Sequence, residues 1–167
     1  MALRKHVLIL VENLPVPFDR RVWMEATTLQ EAGYQVHVIC PKSDVHAESR
    51  LNLDGVEIYR YPQGIEGRSA ITTLLEYFWA ITCMTWLVLR VSLNHPIKVV
   101  HVCNPPDILF LATWPARLLR RSALIFDQHD VCPELWEAKG NSPASLLGRA
   151  LLKAEKMTYR RAAVVIS

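Results

Sequence analysis

The 167 residues predict a three-layer α/β domain on a mainly parallel sheet. Short β-branched runs alternate with longer stretches of helical period, the pattern of strands joined by crossover helices. The first run, VLILV at 7–11, is apolar throughout, as a strand covered on both faces must be. With 51% hydrophobic and 21% charged residues the chain can bury a core, and neither disorder nor a fibre fits. The size is that of a single domain over 1–167.

In chain order, Val22, Ala26 and Leu29 follow the first strand at helical spacing, and Gly33 closes that helix. QVHVIC at 35–40 is a second strand, and VEIYRY at 56–61, after the turn Asp54-Gly55, a third. The glycines and mixed charges of 62–69 read as a mobile surface loop. A long apolar helix over 71–93 is stopped by Asn94-His95-Pro96. KVVHVC at 98–103 is a fourth strand, Pro106 opens the next helix, and ALIFD at 123–127 is a fifth strand. A basic helix over 145–161 leads to a sixth strand at 162–166.

The net charge of +3 is too mild to imply nucleic acid and suits an anionic small molecule or a negatively charged membrane face. Cys40, Cys83, Cys103 and Cys132 form no C-x-x-C and no Cys/His pair at zinc spacing, so reduced cytosolic thiols and no metal site are expected. The N-terminus begins like a signal peptide, but its apolar run stops at Glu12 without a small-residue cleavage site.

In an open doubly wound sheet, ligands bind outside the carboxyl ends of the strands. The first strand is followed not by G-x-G-x-x-G or a Walker lysine loop but by ENLPVPFDRR at 12–21. Arg20 and Arg21 fall in a first helical turn, where the macrodipole disfavours each cation by about 0.3–1 kcal/mol. Either a bound anion offsets this cost, or Glu12, Asp19 or Glu25 pairs with the arginines. At the fourth strand's end, Asn104 and Asp107 suit either a polyol or ordinary helix-start chemistry beside Pro105-Pro106. The fifth strand runs into DQHDVCPELW at 127–136, three acids, an imidazole and a tryptophan within ten residues. That mixture supplies hydroxyl partners, a group near a reacting oxygen and a stacking face for a sugar; the alternative is a loop in which Asp127 and Asp130 cap neighbouring helices. His129 with Asp127 or Asp130 makes a poor metal pair, because adjacent extended positions diverge. Trp79 and Trp86 share a face of the apolar helix as a core seam or an interfacial anchor; the seam is the commoner outcome. The basic helix, with Arg149, Lys153, Lys156, Arg160 and Arg161, offers anionic lipid a second contact.

The segment 7–42, then HVCNPPD, FDQHDVCPELW and AEKMTYRRAAVVIS, together resemble the N-terminal half of bacterial family 4 glycosyltransferases of the GT-B architecture. The resemblance implies a Rossmann-like, acceptor-side domain of an enzyme that transfers a hexosyl group from a nucleoside-diphosphate sugar, as co-substrate and without cofactor or metal, to a lipid-linked or saccharide acceptor. Such enzymes build surface polysaccharides or glycolipids in the cytoplasm at the inner membrane face. By the same resemblance the loop from Asn13 to Arg21 borders donor phosphates and acceptor, and His129 approaches the transferred sugar. The expected assignments are then His129 and Asp130 at the sugar, Asn13, Arg20 and Arg21 for donor phosphate or acceptor, and Asn104 and Glu134 for acceptor hydroxyls. The family's donor half would follow Ser167, so the chain alone is expected to be inactive and to need a separate donor-domain polypeptide. The competing reading is a non-catalytic binding or membrane-associated module.

Overall fold

The computed structural model describes residues 5–64, 70–130, 142 and 144–167. Its elements are β1 (His6–Leu10), α1 (Arg20–Glu31), β2 (Gln35–Pro41), β3 (Arg50–Leu53), β4 (Val56–Tyr61), α2 (Ala70–Asn94), β5 (Ile97–Cys103), a 3-10 helix (Asp107–Thr113), α3 (Trp114–Arg120), β6 (Ala123–Asp127), α4 (Leu146–Tyr159) and β7 (Val164–Ile166). The seven strands form one sheet in the order β3-β4-β2-β1-β5-β6-β7. Every pairing is parallel except that of β3 with β4.

The alternation along β1 explains the layers. Leu8 and Leu10 face the side where α2 packs through Ala80, Met84, Val88 and Val91, together with Phe110 and Phe126. Val7, Ile9 and Val11 face the other side, against Val22 and Ala26 of α1. Both faces of the strand are therefore dry, and each fully buried Leu or Ile contributes about 1.5–3 kcal/mol relative to exposure. Asp19 caps α1 by accepting from the Val22 amide at 3.1 Å, and Gly33 leaves it at φ +91°, a conformation that side chains resist.

The three-layer α/β fold is as the sequence predicts, with two corrections. The sheet has seven strands instead of six: RLNL at Arg50–Leu53 is an edge strand, paired with β4 through the Asp54-Gly55 turn, both of whose residues have positive φ. The two tryptophans do not form a core seam. Ala80, Met84, Val88 and Val91 take that role, while Trp86 is 64% exposed and Trp79 44%. Within the expected 62–69 loop, Pro62 accepts a hydrogen bond from the Trp79 indole at 2.9 Å, and Gly64 packs so closely on that ring that a Cβ would stand 2.9 Å from it. Residues 65–69 lie outside the described residues.

Along the sheet, the chain runs outward from β1 through β2 to β4, then returns to start again at β5 on β1's other side. The order reverses between β1 and β5, which is where a doubly wound sheet opens its crevice.

Candidate functional site

Three strand tips meet at that reversal. The loop after β1 is fixed from below: Val16 is buried, its amide donates to Cys40 Sγ at 3.4 Å, and its carbonyl accepts from Nη2 of buried Arg60 at 2.8 Å. A loop held this way delivers Asp19 and the first turn of α1 to a set position. From there Arg21 reaches across the crevice, its Nη2 3.2 Å from Asp127 Oδ1 at the tip of β6, with Glu25 Oε1 3.8 Å from its Nε.

Asp127 is the hub. It is 1% exposed, and its Oδ2 lies 2.7 Å from His129 Nε2 and 3.5 Å from His101 Nε2. Burial opposes its charge, but the hydrogen bond and charge of His129, with Arg21 and His101, outweigh that and hold its carboxyl below the usual range. An ionised Asp127 can only accept, so His129 Nε2 carries the proton and Nδ1 is left as an acceptor in the neutral ring. Glu25 behaves oppositely. Burial, then the neighbouring Asp127 charge, pushes its carboxyl up to about 7. His101 is lowered, chiefly by burial, and its Nε2 stands 3.6 Å from Glu25 Oε2.

Asn104, at the end of β5, organises the β6 loop. Its Oδ1 accepts from the amides of His129 at 2.6 Å and Asp130 at 3.0 Å. Its Nδ2 donates to Asp107 Oδ1 at 2.7 Å and to the Asp130 carbonyl. All four hydrogen-bonding capacities of the amide are thus used inside the protein, and the residue is 1% exposed. Asn104 is a positioning residue for His129 and Asp130, a different task from the acceptor contact expected of it.

Beside this cluster a cavity of about 690 Å³ runs between the β1 loop and α2, sharing Pro105 with the β5 end. Glu12, Asn13, Glu76, Tyr77 and Trp79 are among its lining residues, so it combines carboxylates, an amide and flat aromatic faces. Burial and the facing Glu76 charge raise Glu12 to about 7.

Of the residues expected at the site, the structure gathers Arg21, Asn104, His129 and Asp130 and sets Asn13 on the adjoining cavity wall. Arg20 is exposed and pairs with none of the described residues. Glu134 lies outside the described residues. The sequence reading missed His101 and Arg60, and it offered Glu25 only as an ion-pair partner of the arginines, which it is for Arg21. A histidine inside the apolar β5 run, and a glutamate one turn beyond Arg21, were the available signals.

Glu25, His101, Cys103 and Asp127 bring ligand-type atoms within 4.8 Å of one another. The donor set suits a metal poorly: burial drives the Cys103 thiol well above its ordinary range, and both Asp127 oxygens face cationic or N–H partners.

These features define a Rossmann-like domain whose crevice presents an oriented imidazole, a carboxylate hub and a guanidinium at the carboxyl edge of a parallel sheet. The chain belongs to the glycosyl transferase 4-like domain family, whose model matches residues 19–167. No curated protein sequence matches it. Among solved structures it is similar to sucrose-phosphate synthase from Thermosynechococcus elongatus, with 14% identity, a TM-score of 0.68, and coverage of 97% of this chain and 42% of that one. The C-terminal domain of a hydrogenase from Pyrococcus furiosus is similar over 75% of this chain and 95% of its own, with 12% identity and a TM-score of 0.54. At such identities these likenesses speak for the fold alone. The chain spans less than half the length of the synthase it matches.

Proposed function

We propose that this chain is the acceptor-side half of a glycosyltransferase that moves a hexosyl group from a nucleoside-diphosphate sugar to a lipid-linked or saccharide acceptor in the synthesis of a surface polysaccharide or glycolipid. The observation that carries this reading is the Arg21–Asp127–His129 chain beside a cavity lined by carboxylates and aromatic rings. Asp127 fixes the imidazole tautomer, so His129 Nδ1 can take a hydrogen bond or a proton from a sugar hydroxyl. Trp79 and Tyr77 offer stacking faces, and Glu12, Glu76 and Asn13 offer hydroxyl partners. Arg20 and Arg21, at the start of α1, favour the anionic leaving nucleoside diphosphate, and Asp130 and Glu134 complete the sugar and acceptor contacts.

Stabilising that leaving group takes a second wall, which a donor-side half of the fold would supply. Transfer takes place in the cytoplasm, at the inner membrane face. The test is transfer from labelled nucleoside-diphosphate hexoses by the chain alone and by the chain mixed with a donor half. Turnover in the mixture only, abolished by His129→Ala, is expected. Turnover by the chain alone overturns the division of labour, and undiminished turnover by His129→Ala overturns the site.

A further inference from the structure

The geometry points to a second site, at the opposite end of the sheet, in which His6, His37 and His95 bind one divalent transition-metal ion of the zinc type. His6 opens β1, His37 is the third residue of β2, and His95 directly follows α2. The fold brings them together: one ligand nitrogen from each lies within 4.8 Å of the other two. His6 Nδ1 and His37 Nε2 are 3.0 Å apart, and the His37 and His95 ring centroids are separated by 4.5 Å. Three imidazoles at about 2.0–2.1 Å from a tetrahedral zinc have nitrogens about 3.4 Å apart, so modest ring rotations close the set.

The polar atoms of the cluster are also under-satisfied by the protein. His37 has no exposed surface, and its Nδ1 has no hydrogen-bond partner among the described residues. Leaving a buried polar nitrogen unpartnered is costly, and the three rings share only one hydrogen bond among themselves. A metal ion gives the rings a common partner. His6 and His95 are half-exposed and supply a route in, while three protein ligands leave a fourth position for water. The α2 C-terminus directs the negative end of its macrodipole towards His95, which favours a cation there. An all-imidazole set selects zinc, nickel, copper or cobalt over magnesium or calcium.

The ion would tie β1, β2 and the end of α2 together at the edge of the sheet remote from the crevice. It therefore supports the fold rather than the sugar chemistry, and it holds whether or not the chain is a transferase half.

The test uses the full chain freed of metal with a chelator. Titration with Co2+ is followed by visible absorption and with Zn2+ by calorimetry and thermal unfolding. We expect one ion per chain, a cobalt spectrum displaced by zinc, and a raised unfolding temperature. His6→Asn and His95→Asn change half-exposed positions, and each should weaken zinc binding by more than about tenfold with the circular dichroism unchanged. Glu25→Gln, at the other cluster, should bind zinc as the parent chain does. No cobalt spectrum, undiminished binding by both histidine variants, or a loss confined to Glu25→Gln overturns the proposal.

Discussion

Arg21 Nη2 stands 3.2 Å from Asp127 Oδ1, an ion pair between residues 106 positions apart that joins the first turn of α1 to the tip of β6. It accounts for an arginine at a helix N-terminus: the macrodipole penalty of about 0.3–1 kcal/mol is offset by a buried carboxylate. Asp127→Asn removes that charge and leaves one acceptor oxygen where two are used, so either Arg21 or His129 meets an amide NH2 instead. Transfer by the chain with its donor half should fall by roughly 10²–10⁴ in kcat, the range for losing an oriented acid–base group. Arg21→Met leaves the imidazole its partner and should cost less. Steady-state kinetics decide it, and an unchanged kcat for Asp127→Asn refutes the hub.

Glu25 imposes a pH dependence on stability. Its carboxyl is raised from 4.5 to about 7 in the folded chain, by burial first and Asp127 second. Between those values the folded state holds a proton that the unfolded state has released, so stability falls as pH rises through the window and levels off above about 7. For a side chain 29% exposed the contribution is about 1–3 kcal/mol. Glu25→Gln lacks the titration, so it should gain on the parent chain between pH 5 and pH 8. Urea midpoints at both pH values measure this, and parallel shifts in the two proteins would refute it.

The parts of the fold legible in the sequence are those where pattern and burial coincide. VLILV and QVHVIC are buried on both faces along nearly their whole length and read as inner strands, while ALIFD, with Ala123 exposed and Ile125 half-buried, is legible from its apolar run. RLNL was overlooked because a four-residue edge strand buries little and carries only half an apolar pattern, though Asp-Gly beside it marks a hairpin. At the site, ENLPVPFDRR and DQHD lie at the tips of β1 and β6, on either side of β5 and at the same end of the sheet, which follows from strand order. Which residues touch does not follow: Arg21 finds Asp127 instead of a local acid alone, and Asn104 turns inward because two loop amides need an acceptor. The three-histidine cluster has no spacing signature, since its members come from three separate elements.

Asn104→Ala tests how far that inward turn matters. The substitution strands the amides of His129 and Asp130, in a part-buried setting, and takes a donor from buried Asp107. Each buried orphan costs about 1–3 kcal/mol, and water entering the gap recovers part, so a net loss of about 2–4 kcal/mol is expected. Asn104→Asp keeps the acceptor but sets a carboxylate against Asp107, and should be destabilised too. Equilibrium urea unfolding gives both values. A loss below about 0.5 kcal/mol for the alanine variant, the level of an ordinary surface change, would mean that the loop holds itself.

The outer face of α2 bears on the membrane. Thr72–Asn94 is apolar and long enough to cross a bilayer by length and composition, yet it packs on the sheet through one stripe. Its opposite side shows Phe78, Trp86 and Leu93, and the neighbouring helices add Leu111, Trp114 and Leu118. Arg120 ties the two helices by donating to the Ser92 and Leu93 carbonyls at 2.6 and 3.0 Å, so the apolar residues lie on adjacent helices with Arg117 and Arg121 among them. Aromatic anchors beside arginines suit the headgroup region of an anionic bilayer, where each basic residue near the surface adds about 1 kcal/mol. The chain should therefore float with vesicles containing anionic lipid and bind neutral ones weakly, with salt reducing the difference. Trp86→Ser with Leu118→Ser should abolish flotation on both, since the apolar insertion is lost, whereas Arg117→Gln with Arg121→Gln should erase only the preference for anionic lipid. Equal recovery of the parent chain from both vesicle types, or none from either, ends the membrane reading.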